Sequence, residues 1–141
     1  MVKRSVIILL ILFFFAGSAR SEQANEVSDT PVDALVIVSF DPPLPARLNL
    51  GDKLMITIDY SIASVDTAQI WARPYTKGNL SPNYFAHPSP AYTKGKGRIV
   101  GWFGFDNPAI VDAVLVKMVA DGENILALIK PIDAEWENLN Y

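Results

Sequence analysis

Residues 53–62 carry the clearest pattern in the chain: Leu54, Ile56, Ile58, Tyr60 and Ile62 alternate with Lys53, Met55, Thr57, Asp59 and Ser61. A period of two puts one side of the segment on a core and the other in water, as in an antiparallel sheet. A helix would scatter those apolar residues around its circumference. Residues 67–75 alternate as well, with Ala68, Ile70 and Ala72 on one face and Gln69, Trp71, Arg73 and Tyr75 on the other. Parity therefore groups Trp71 with polar residues. Either a bulge flips the register and buries it, or it lies on the outer face, covered by the next loop or left as a binding platform.

Residues 34–40 form a β-branched run that ends at Asp41-Pro42-Pro43, where the lost backbone donors suit an edge crossing. Residues 98–105 read as a strand interrupted by Gly101 and Gly104, a sign of bulges or close backbone approach. Residues 109–120 fit two templates. Ile110, Val111, Val114, Leu115, Met118 and Val119 keep helical spacing, with Asn107 as a cap, Pro108 as an opener and Gly122 as a terminator. Four valines and an isoleucine in the same segment favour a strand, and strand is preferred. The Asp121-Gly122-Glu123-Asn124 turn then leads into 125–129 as the second arm of a hairpin. About six strands separated by turn signals predict an antiparallel sandwich.

The connection from Thr76 to Gly97 breaks that rhythm. Loops beyond about 12–15 residues are uncommon and are usually functional or disordered. This one carries Tyr84, Phe85, His87 and Tyr92, aromatics that a disordered loop would strand in water. No acidic residue lies between Asp66 and Asp106, whereas Arg73, Lys77, Lys94, Lys96 and Arg98 are all basic.

Composition places the domain. Residues 1–19 have the layout of a secretory signal: Lys3 and Arg4, an apolar run over 6–15, and small residues at 16–19. The apolar stretch falls short of the roughly 20 residues of a spanning helix, so no stable membrane anchor is expected after cleavage. Export to the periplasm or beyond follows. Residues 20–33 are polar and acidic and read as a flexible leader. Residues 34–131 form the sandwich, and 132–141 form an acidic, loose tail whose Trp136 is a candidate to dock on it. The chain has no cysteine, which excludes thiolate metal sites, cysteine nucleophiles and a lipid anchor on an N-terminal cysteine. Without Lys3 and Arg4, ten basic residues face fifteen acidic ones, a balance that argues against a nucleic-acid partner.

Leu50-Gly51-Asp52-Lys53 before an alternating strand, Ile70-Trp71-Ala72-Arg73-Pro74 on the next, and a terminal hairpin resemble immunoglobulin-like or fibronectin-type-III-like modules of secreted proteins. The segment from Trp71 to Gly97 also resembles exported bacterial modules without a settled function. The resemblance covers roughly 48–129 and implies an all-β, antiparallel immunoglobulin-like β-sandwich of six to seven strands, with one long loop between the third and fourth. It brings no catalytic residues. The cysteine pair of antibody-type domains is missing, so it bears on architecture only.

Catalytic chemistry finds little footing. His87 is the only histidine, and no serine sits in a Gly-x-Ser-x-Gly context. No carboxylate pair stands out, Gly95-Lys96-Gly97 lacks phosphate-loop spacing, and Asp121 to Asn124 reads as a turn before it reads as a calcium site. No cofactor is expected. The candidates are ligand-binding ones: Trp71, Arg73, Tyr75, Lys77, Tyr84, Phe85, Tyr92 and Lys94, an aromatic wall with cationic donors suited to a glycan or an acidic protein partner. The bland alternative is that these aromatics pin the loop on the sheet as a second small core. A different role, self-association, follows if Val114, Val116 and Met118 point inward, since Val111, Leu115 and Val119 then line the outside beside Lys117.

Overall fold

A single strand of 24 residues holds the molecule together. The structure, a computed structural model, describes residues 30–140. The expected signal segment and leader residues 20–29 lie outside the described residues.

The eight strands are β1 (Ala34–Asp41), β2 (Ala46–Asn49), β3 (Lys53–Thr76), β4 (Asn79–Leu80), β5 (Tyr84–Ala86), β6 (Ala91–Phe105), β7 (Ala109–Ala120) and β8 (Glu123–Glu137). Among the described residues there is no helix. The fold is all-β, as the alternation implies.

β3 merges the two strands read at 53–62 and 67–75. Even-numbered residues face inward in both halves: Leu54, Ile56 and Ile58, then Ala68, Ile70 and Ala72. One edge of β3 pairs with β6 as far as Gln69 and then with β4; the other pairs with β1 over its first half and β7 over its second. Two strands sharing one edge make the sheet curl. The β1–β3–β6 part and the β3–β7–β8 part thus close on a common core that includes Leu54, Ile58, Ile70, Val114, Val116 and Met118. Every pairing is antiparallel except that of β2 with β8.

Where β3 changes partners, its register with β6 shifts between Ile62 and Thr67. Asp33 secures this bulge. Its Oδ1 accepts the backbone N–H groups of Ala63 at 2.7 Å and Ser64 at 3.0 Å.

At the far end, Trp136 packs against Phe105 and Phe103, with ring centroids 4.9 and 5.9 Å away. The glycines of β6 mark close approaches. A Cβ at Gly97 would lie 2.5 Å from the Tyr60 hydroxyl oxygen, and one at Gly104 would lie 2.6 Å from Phe85 Cζ.

Several expectations are corrected. Among the described residues the strands number eight, two of them very short, and residues 76–97 are no single loop, since β4, β5 and the start of β6 lie within them. The preference for strand over helix in segment 109–120 holds, by contrast: it is β7, joined to β8 by Asp121 and Gly122, both at positive φ (51° and 76°), the backbone of a tight hairpin turn. Residues 132–137 are strand, not loose tail, because Trp136 is fully buried and β8 gains β2 as a partner there.

The outward aliphatic row also fails. A bulge between Val111 and Ala113 turns Val111 into the core, while Leu115 and Val119 are covered, each 7 % exposed.

Candidate functional site

The odd-numbered side of β3's second half faces away from the core. Trp71 is on it, which settles its open placement: it is half-buried on the outer face. Residues 84–90 return across this face, and the two together enclose an open depression of about 280 Å³ lined by Trp71, Arg73, Tyr75, Leu80, Tyr84, Ser89, Leu115 and Lys117.

Arg73 is its centre. The guanidinium carbon lies 5.6 Å from the Trp71 ring centroid and 6.0 Å from that of Tyr84, within range of cation–π attraction. Nη1 donates to the carbonyl of Ala72 at 2.9 Å, and Nη2 donates to Ser89 Oγ at 2.9 Å. Gln69 Nε2 donates to the Ser89 carbonyl at 3.0 Å, so two β3 side chains tie the returning segment down. A guanidinium has five N–H donors, and two nitrogens are engaged here by neutral oxygens. Among the described residues neither Arg73 nor Lys117 forms an ion pair, and no carboxylate lines the depression.

Of the eight residues singled out from the sequence, Trp71, Arg73, Tyr75 and Tyr84 meet in this depression. The other four do not. Lys77 occupies the β3–β4 turn at φ 52°, with its N–H donated to Asp112 Oδ2 at 2.8 Å. Phe85, next to Tyr84 on β5, contacts Trp102 instead, with centroids 6.3 Å apart. Tyr92 packs on Tyr60 at 5.5 Å, and burial together with that neighbour raises its phenol above the ordinary value. Lys94 is exposed on β6.

The run of positive charge is partly neutralised by residues distant in sequence. Arg98 forms two bonds to Asp59, Nε–Oδ1 at 2.6 Å and Nη2–Oδ2 at 2.9 Å. These hydrogen bonds hold the Asp59 carboxyl below its ordinary value and Arg98 above its own.

Leu80, Ser89, Leu115 and Lys117 were missed. Ser89 lies between two prolines in what reads as loop. Leu115 and Lys117 share outward parity on β7, a signal that becomes useful only once β7 is known to pair with β3. His87 packs edge-on against Trp102 at 5.6 Å, and the nearby Ser89 hydroxyl is engaged by Arg73, so the two do not form a nucleophile–base pair. Among the described residues, no group of three or more His, Cys, Asp or Glu side chains is placed to hold a metal ion.

No protein-family model and no curated protein matches the chain. Among solved structures, it is similar to the periplasmic chaperone SfaE, with a TM-score of 0.45 and 12% sequence identity over 77% of this chain. The match spans 58% of that structure's length. Among the described residues, no helix is long and apolar enough to cross a membrane.

Proposed function

We propose that this is an exported, non-catalytic binding module whose ligand docks in the Trp71–Arg73–Tyr84 depression. The observation that carries the reading is the Arg73 guanidinium, held between two aromatic rings by neutral hydrogen-bond partners, with Lys117 beside it and no carboxylate in the lining. A cation fixed in this way is ready to receive an anionic or polar group without first breaking an ion pair. Its aromatic neighbours supply flat apolar area at little entropic cost.

Two ligand classes fit such a wall, a glycan and a protein segment with an acidic residue. Binding is favoured over turnover because the lining offers neither a carboxylate nor a histidine for proton transfer. Export is supported by the signal-like layout of residues 1–19.

A glycan and peptide array at low salt tests the reading, with wild type compared to Arg73→Ala and Tyr84→Ala. Loss of binding in both variants, with the β fold retained by circular dichroism, is the expected outcome. If both variants melt earlier and every array signal survives, the residues around Arg73 are a structural lid and the binding role is wrong.

A further inference from the structure

The depression is the middle of a larger face. Residues paired across antiparallel strands project to the same side of a sheet, and here β4, β3, β7 and β8 lie side by side. Next to Arg73 comes Leu115 and then Ile129. Tyr75 has Leu80 on one flank and Ala113 on the other, with Pro131 beyond. Trp71 is followed by Lys117 and Ala127. The only charges in these three rows are Arg73 and Lys117, both positive, and every other position is apolar or aromatic.

Leu80 is 49 % exposed and Ile129 is 62 % exposed. With neighbouring strands about 4.8 Å apart, they stand roughly 15 Å from one another on opposite flanks of the cations. Exposed aliphatics on both sides do nothing for a hydroxyl-rich sugar, which stacks on aromatic faces and hydrogen-bonds at its rim. A Trp, Tyr and Arg centre bordered by aliphatic residues matches the make-up of protein–protein hot spots.

We infer that the occupant of this face is a protein segment carrying a carboxylate between apolar side chains. The carboxylate meets Arg73 and Lys117, and the apolar groups cover Leu80 and Ile129. This rests on the binding role proposed above and narrows its ligand to one class.

The test is calorimetric titration of the purified protein with short extended peptides in which an Asp or Glu is flanked by Leu, Ile or Phe. Acidic and neutral oligosaccharides are titrated in parallel. The expected result is peptide binding weakened about tenfold or more by Ile129→Asp and by Arg73→Ala, with the melting temperature of Ile129→Asp unchanged. Oligosaccharide binding that falls with Arg73→Ala but ignores Ile129→Asp overturns the protein assignment and leaves the binding role standing. Self-association lost in Ile129→Asp, seen by light scattering, replaces the foreign partner with a second copy and overturns it too. Absence of binding by every peptide and every sugar overturns both.

Discussion

The indole N–H of Trp136 donates to the backbone carbonyl of Asp52 at 2.9 Å, fastening the end of the last strand to the residue before β3. This bond and the Phe103–Phe105–Trp136 ring cluster make the C-terminal segment part of the core. Trp136→Ala should cost about 3–5 kcal/mol, and truncation after Pro131 should leave the chain unfolded by circular dichroism. Trp136→Phe keeps most of the ring packing but loses the donor, and should cost about 1–3 kcal/mol. A truncated chain that melts like the full one would show that residues 132–137 are dispensable.

Gly97 and Tyr60 form a second coupled pair. A Cβ on Gly97 would meet the Tyr60 ring, with the hydroxyl oxygen at 2.5 Å and Cζ at 2.6 Å. Gly97→Ala should therefore displace Tyr60 from its contact with Tyr92 and destabilise the fold by about 1–3 kcal/mol. In a Tyr60→Ala background the same substitution should be close to neutral, because the obstacle is gone. Chemical denaturation of the double-mutant cycle measures the coupling, and additive effects would contradict the proposed clash.

Asp33 predicts a pH dependence. The Ser64 hydroxyl, then the Ala63 N–H, and to a lesser degree the Ser64 N–H and Lys94, hold its carboxyl below the ordinary value against an opposing effect of burial. A carboxylate whose folded pKa is depressed adds stability that is complete above the unfolded pKa, near 4, and fades as pH falls through the folded one. Asp33→Ala should thus lower stability at pH 7 by about 1 kcal/mol through the lost hydrogen bonds. The gap from wild type should close in strong acid. Equal gaps at pH 7 and pH 2 would show that the carboxylate charge is not what matters.

The alternation of residues 53–62 was enough to orient Leu54, Ile56 and Ile58 correctly, because one buried face leaves a direct mark on sequence. Trp71 was legible only as a choice between two places, since parity shows which residues share its face but not what covers that face. Residues 76–97 hid three pieces of strand for a physical reason. β4 and β5 have two and three residues, too few for alternation to show, and the β3–β4 turn uses Lys77 at positive φ where a sequence reading looks for Asn or Asp. Trp71, Arg73 and Tyr75 line one depression because they alternate on one strand. Phe85 was misplaced because neighbours on a strand point to opposite sides, so Tyr84 and Phe85 cannot both serve one site. Leu115 reads as bare from sequence because parity alone does not show that residues 84–90 return across its face.

Chemical-shift mapping of backbone amides, titrated with the tightest ligand from the array, tests the central claim most directly. Shifts should concentrate at Trp71, Arg73 and Tyr75 on β3, at Leu115 and Lys117 on β7, and at Tyr84 and Ser89, and they should weaken as salt is added because two cations carry the contact. Shifts centred instead on Trp102, Phe85 and His87 across the opposite part of the sheet, or binding indifferent to salt, would contradict it.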